Sequence, residues 1–378
     1  MAEIFRIDDA DRYARLRLIS WWDQARLRAS HVLVVGAGAL GNEVLKNLAL
    51  LGVGRITIVD YDTIEDSNLT RSVLFRASDN GRSKAAVAAE RAMELNPDVR
   101  VQAYDANIMH DFGLGRFADA DVVIGCLDNR EARLWVNRSC WKVTRPWVDG
   151  GIQEISGVCK VFVPPDSACY ECGMTEADYR LINLKYSCPL LKREDILEGK
   201  VPTAPTVSSI IAGMQTQEAL KLLHRMAVAA GCAVVFNGES NNLYTTAYQR
   251  VEDCLSHETY REWTSLPVDR KVLTARGLLD QVARGRHAEL VLDRELVTRF
   301  ACPKCDKART VNRLLAKLTD KDGRCDGCGD VMQMSTTHRV TRDDAAADLL
   351  LVELGIPEDD IVRVQLEDGD AFYRLTPR

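Results

Sequence analysis

Between residues 31 and 248 the chain alternates short, continuous apolar runs with longer segments whose apolar side chains recur every three to four positions. The runs at 32–35, 56–59, 99–104 and 120–127 read as strands. Helical spacing separates them. Val44, Leu45, Leu48 and Leu51 share one face, with Gly52 and Gly54 as the stop, and a second helix is predicted over 84–95, closed by Asn96-Pro97. Strands separated by helices in this order imply an α/β fold with a doubly wound, Rossmann-like, mostly parallel sheet. Further strands are predicted at 157–163, 233–236 and 244–248, with a strongly patterned helix over 208–223. Residues 4–30 look like an amphipathic helix ending in Ser30.

The pattern changes near residue 266. A helix at 275–282, a short strand at 289–292, a helix at 343–354 and two short closing strands suggest a small C-terminal α+β module. The expected division is a first domain over 1–260, with a crossover loop at about 173–205, and a second over 266–378.

Composition narrows the possibilities. A net charge of −6 gives no reason to expect nucleic acid or an anionic membrane as partner. No apolar run is long enough to span a bilayer, and the N-terminus lacks the apolar core of a signal peptide, so a cytoplasmic protein is expected. Of the twelve cysteines, six fall in CxxC pairs, which in a reducing compartment favours zinc over disulfides.

The most informative stretch follows the first strand: Gly36-Ala37-Gly38-Ala39-Leu40-Gly41 opens a helix, and the next strand ends in Asp60. Glycines at such a turn let the backbone approach a phosphate, the helix N-terminus offers unpaired N–H groups, and an acid at the second strand end accepts ribose hydroxyls. A tight turn with no ligand would need no such acid.

Taken with Asp60-Tyr61-Asp62, Ser67-Asn68-Leu69-x-Arg71, Gly81-x-x-Lys84, Cys126-x-Asp128-Asn129, Arg12-Tyr13-x-Arg15 and the Cys169–Cys172 pair, this turn resembles the adenylation core shared by ubiquitin-activating enzymes and sulfur-carrier adenylyltransferases. The resemblance covers residues 10–257. It implies ATP and Mg²⁺ as cofactors, with Gly36, Gly38, Gly41, Asp60, Asn68, Arg71 and Lys84 holding the nucleotide and Asp128 the metal. It also implies a homodimer in which Arg15 reaches the γ-phosphate bound by the neighbouring subunit. Ser72 departs from the pattern, because the sulfur-carrier enzymes usually have Gln after the Arg. Without the resemblance, Arg12, Arg15 and Arg17 read as a solvated basic face.

Two zinc sites are expected. Cys169 and Cys172 lack a second half nearby, and the next candidates are Cys254 and His257, which complete a Cys₃His set where the family commonly has a second CxxC. Cys302, Cys305, Cys325 and Cys328 have the spacing of a four-cysteine zinc ribbon. Of the other cysteines, only Cys188 sits in a polar loop beside cations (Lys185, Lys192 and Arg193), which favours a reactive thiolate. The family's acyl-accepting cysteine often lies in the crossover loop as well; an inert loop cysteine is the alternative.

The function expected is ATP-dependent activation of the C-terminal glycine of a ubiquitin-like protein. A thioester on Cys188 and transfer to a conjugating enzyme docked on the C-terminal module would follow. The nearest alternative passes the acyl-adenylate to sulfur as a thiocarboxylate. An NAD-dependent oxidoreductase would use the same glycine turn but has no need of Lys84, Arg71 or Asp128, and an inactive nucleotide-binding scaffold would not need the full motif set.

Overall fold

The computed structural model describes residues 10–187, 202–283 and 285–378. The chain divides into two compact units. The first comprises residues 10–108, 117–174 and 202–259, the second residues 109–116, 175–187 and 260–378.

In chain order the elements are α1 (Gln24–Ala29), β1 (His31–Val35), α2 (Ala39–Leu51), β2 (Arg55–Asp60), α3 (Lys84–Leu95), β3 (Arg100–Asp105), α4 (Leu114–Ala118), β4 (Val122–Gly125) and α5 (Arg130–Lys142). There follow β5 (Trp147–Gln153), β6 (Ser156–Phe162), α6 (Glu176–Ser187), α7 (Pro205–Leu223), β7 (Cys232–Asn237) and β8 (Asn242–Ala247). The chain continues with β9 (Thr264–Val268), α8 (Ala275–Ala283), β10 (Ala288–Ala301), β11 (Ala308–Leu314), β12 (Gln333–Thr341), β13 (Ile361–Leu366) and β14 (Gly369–Pro377).

The first unit is built on an eight-stranded sheet in the order β3-β2-β1-β4-β5-β6-β7-β8. Its neighbours from β3 through β5 run parallel, and β5 through β8 run antiparallel. β1 and β4 are buried almost throughout, which is why their sequences are uninterrupted apolar runs rather than alternating ones. Helices α2, α3 and α7 contribute Val44, Leu45, Leu48, Val87, Ile211 and Leu220 to the same core as Val32, Val34, Ile56, Ile58 and Ile124. Pro205 occupies the first turn of α7, where its missing N–H costs nothing. Between β2 on one side of β1 and β4 on the other, the strand order reverses, and open α/β sheets bind ligands at the carboxyl ends of strands there.

The second unit has a six-stranded sheet, β11-β10-β13-β14-β9, with β12 on the other side of β10. Leu278, Leu279 and Val282 of α8 join Leu290, Val340, Val364 and Leu375 in its core. A separate small cluster of Val297, Phe300 and Met332 surrounds Cys302 and Cys325. Residues 109–116 belong with this unit because the Leu114 N–H donates to Asp360 (2.8 Å) and Arg116 pairs with Glu358 (3.1 Å).

Three expectations fail for identifiable reasons. The helix over 4–30 shrinks, within the described residues, to a 3₁₀ turn at Leu16–Leu18 and the six residues of α1. Asp11 accepts the Tyr13 N–H and Asp23 the Arg26 N–H, so local side-chain bonds divide the segment into turns. The helix over 343–354 is a 3₁₀ turn, Ala345–Asp348, bracketed by Asp344 accepting from Thr341 and Glu353 accepting from Leu350. The strand at 289–292 is instead fourteen residues long, because β10 pairs β13 along its first half and β11 along its second. In addition, the crossover loop contains α6.

Candidate functional site

Three strand ends meet at the sheet's switch point. The Gly36 N–H donates to Val59 O (2.9 Å), and the Cys126 N–H donates to Val35 O (2.8 Å). The turn after β1 is therefore fixed against the ends of β2 and β4. Gly36 has φ +96°, and a Cβ there would overlap the Cys126 carbonyl; a Cβ at Gly41 would overlap the Gly36 carbonyl. Only glycine fits at both positions. At Gly38, which caps α2, a Cβ would meet open space, so this position faces outward at the helix N-terminus. The first-turn N–H groups of α2 lie there, and they have no partner within the helix.

Asp60 terminates β2 and is held by two backbone donors, Ala37 N–H at 2.7 Å and Asp62 N–H at 2.8 Å. Burial pushes its pKa up, and those two N–H groups and Lys84 oppose the rise. Lys84 begins α3 and pairs with Asp62 at 2.8 Å. Asn68 lies in the loop between them, where its side chain accepts the Glu65 N–H (3.0 Å) in a reciprocal cap. Arg71 donates to the Ser67 carbonyl (3.1 Å). Asp128 is exposed at the end of β4 and accepts from the Asn129 amide (3.2 Å). The Asn129 side-chain amide oxygen in turn accepts the Ala132 N–H and caps α5 (2.8 Å).

Arg15 is exposed at the edge of the 3₁₀ turn, and its side chain makes no hydrogen bond or ion pair among the described residues. Cys188 lies outside the described residues. Burial raises the thiol pKa of Cys126, Cys140 and Cys159, which makes them poor nucleophiles. Ser72 is buried.

Behind the Asp128 loop lies a charged network that sequence reasoning missed. Asp149 of β5 is fully buried and pairs with Arg133 (3.0 Å) and Lys160 (3.5 Å). Arg133 also donates to the carbonyls of Leu127 (2.5 Å) and Gly150 (2.9 Å). Gln215 of α7 donates to the carbonyl of Gly125 (2.7 Å). A signal was present in Trp147-Val148-Asp149-Gly150: an acid inside an apolar strand needs a cation beside it.

Cys169, Cys172, Cys254 and His257 converge, with ligand atoms within 4.8 Å of one another. Cys169 Sγ lies 3.6 Å from both Cys254 Sγ and Cys172 Sγ, and Cys172 Sγ lies 3.4 Å from His257 Nε2. Four thiolates around zinc at about 2.3 Å would be about 3.8 Å apart, so this set fits a tetrahedral ion. Arg250 lies 3.2 Å from His257 Nε2, where its charge would offset the net negative charge of a Cys₃His zinc centre. The Cys302, Cys305, Cys325 and Cys328 set is equally close, with Sγ pairs at 3.5 and 3.4 Å. The N–H groups of Gly327 and Cys328 lower the Cys325 pKa to about 6, favouring the thiolate that a metal binds. Both clusters could hold a metal ion. Among the described residues, no helix is long and apolar enough to cross a membrane.

The chain is similar to ubiquitin-like modifier-activating enzyme 5 of Dictyostelium discoideum, 30% identical over 233 residues, which are 57% of this chain and 59% of that one. The Drosophila melanogaster protein of the same name is 31% identical over 233 residues, covering 57% and 56%. The match thus spans less than three-fifths of each of these relatives. Among solved structures, Escherichia coli MccB with ATP is similar in fold, with a TM-score of 0.54 and 24% identity, covering 66% of this chain and 74% of that one. The model of the ThiF family matches residues 10–256. The chain belongs to the ThiF family.

Proposed function

We propose that this chain activates the C-terminal glycine carboxylate of a ubiquitin-like protein by adenylation with ATP. The observation that carries this reading is the meeting of the Gly36–Gly41 turn, Asp60, Lys84 and Asp128 at the sheet's switch point. On this reading Asp60 would accept the ribose hydroxyls, and Asn68, Arg71 and Lys84, with the N-terminus of α2, would hold the phosphates. These residue types match what acyl-adenylate formation requires. A carboxylate oxygen forms a bond to the α-phosphorus, the bond to the β-phosphate bridge oxygen breaks, and pyrophosphate leaves with the electron pair. Cations counter the charge that grows on pyrophosphate. The substrate carboxylate is already ionised at neutral pH, so the step needs no general base. Asp128, exposed and among the described residues hydrogen-bonded to a neutral amide within its own loop, has the hard oxygen donors suited to Mg²⁺, which would neutralise the triphosphate and orient it.

The named relatives support a modifier protein as substrate. On this reading the next step is attack by the Cys188 thiolate on the adenylated carbonyl, giving a thioester and AMP. Transfer then passes to a conjugating enzyme held by the second unit, and a homodimer supplies Arg15 in trans. The domain reading of 1–260 for adenylation and 266–378 for partner binding is part of this proposal, as are two zinc ions in the two cysteine clusters. Thiocarboxylate formation remains the second reading, since it shares the adenylation step.

Mass spectrometry of a carrier protein incubated with the enzyme, ATP and Mg²⁺ tests the reading. An AMP adduct on the C-terminal glycine is expected. A chain that binds no ATP but changes NADH fluorescence would place the glycine turn in hydride transfer instead.

A further inference from the structure

Helix α5 runs from the nucleotide loop to the first cysteine cluster, and both ends are fastened. Its N-terminus is capped by Asn129, next to Asp128. Arg133, Asn137 and Trp141 follow at intervals of four and so form one stripe along the helix, about 12 Å long at 1.5 Å per residue. Arg133 holds the Leu127 carbonyl of the Asp128 loop and the Gly150 carbonyl of β5. Asn137 is fully buried, and its carbonyl oxygen accepts the backbone N–H of Tyr170, the residue after Cys169, at 3.0 Å. Trp141, also fully buried, stacks on His257 with ring centroids 5.5 Å apart and planes 20° apart. Beside the stripe, Arg138 pairs with Glu171 (2.5 Å), and Glu171 also accepts from Ser256, two residues beyond Cys254.

We propose that α5 couples the Cys169/Cys172/Cys254/His257 metal site to the nucleotide site, so that a filled cluster holds Asp128 in position and bound nucleotide retains the metal. The residues that carry the coupling are Arg133, Asn137 and Trp141, which act as positioning residues. The cluster fits zinc on distance and donor type. Interiors are close-packed, so a helix fastened at both ends passes displacement at one end to the other. The loops Leu127–Asn129 and Tyr170–Cys172 are both held by side chains of this helix face, Arg133 at one end and Asn137 at the other. This inference rests on the nucleotide reading above.

Coupling between two sites is reciprocal, which makes it measurable from the metal side. Full-length, zinc-loaded chain is mixed with a chelating dye, and zinc release is timed with and without ATP and Mg²⁺. A Cys305→Ser background, with the ribbon site disabled, assigns the slow release to the first cluster. ATP is expected to slow that release about fivefold or more, the lower end of usual coupling energies. Trp141→Leu, which keeps an apolar side chain but cannot stack on His257, should bring the ratio close to one; Trp141→Phe should restore most of it. Hydrogen exchange read separately over residues 126–133 of the wild-type chain should rise when the metal is stripped. ATP binding measured on the loaded protein separates the two claims: if none is found, the nucleotide reading fails, and exchange over 126–133 alone decides the coupling. Release unaffected by bound ATP, with exchange over 126–133 unchanged on stripping, overturns the proposal.

Discussion

The Asp60 carboxylate accepts the Ala37 backbone N–H at 2.7 Å, tying the tip of β2 to the glycine turn that follows β1. One side chain thereby fixes the geometry of the glycine turn and, on the proposed reading, stands where a ribose acceptor is needed. Its elevated pKa has a functional consequence. Ribose binding needs the ionised carboxylate, and Asp60 gains its proton at a higher pH than an ordinary aspartate near 3.9. ATP affinity is therefore expected to fall as pH drops through the raised pKa, before ordinary carboxylates titrate. Calorimetric titration across mildly acidic pH checks this, with Asp60→Asn as the control that binds weakly and has lost the acid limb.

Metal content provides a second test. The purified chain is expected to hold about two zinc ions, one for each four-ligand cluster, both structural because no open position remains. Atomic emission on Cys169→Ser and Cys302→Ser variants should each show about one. A stoichiometry of one in the wild-type chain would remove one cluster from the account.

Subunit complementation tests the role of Arg15. Its exposed side chain, without a partner among the described residues, is available to a neighbouring subunit. Mixed dimers of Arg15→Ala and Asp128→Ala chains should regain part of the activity, since one of their two sites is intact. Proven subunit exchange without recovery would place Arg15 outside the partner's site.

The acyl-accepting thiol is tested by a non-reducing gel after incubation with ATP and a carrier. A thiol-sensitive adduct should form and disappear in Cys188→Ala, while ATP–pyrophosphate exchange continues. Persistence of the adduct would point to another cysteine, although burial disfavours Cys126, Cys140 and Cys159.

Much of the first unit was legible because its signals are local. The apolar run at β1, the glycine turn, the spacing along α2 and the acid at the end of β2 all lie within thirty residues of one another, and strand–turn–helix physics fixes their relative positions. The cysteine pairs were legible because metal coordination allows few spacings. The Arg133–Asp149–Lys160 network was harder to see, because Asp149 and Lys160 meet through β5–β6 pairing and Arg133 reaches Asp149 from α5. The short α1 and the turn at Ala345–Asp348 show the opposite failure: a helical pattern gave way to Asp11, Asp23 and Asp344 bonding their own neighbourhoods. For β10, a strand more than three times the expected length became visible only once three partners paired along it.

The central claim is that Asp128 places the metal-bound triphosphate for attack by a carboxylate. It is tested most directly by ATP–pyrophosphate exchange with a C-terminal-glycine carrier protein and Mg²⁺. Loss of a charged group acting in the transition state commonly costs about 10²-fold or more, so Asp128→Ala should lower exchange by at least that factor while the chain stays folded. Exchange at the wild-type rate in Asp128→Ala would contradict the account.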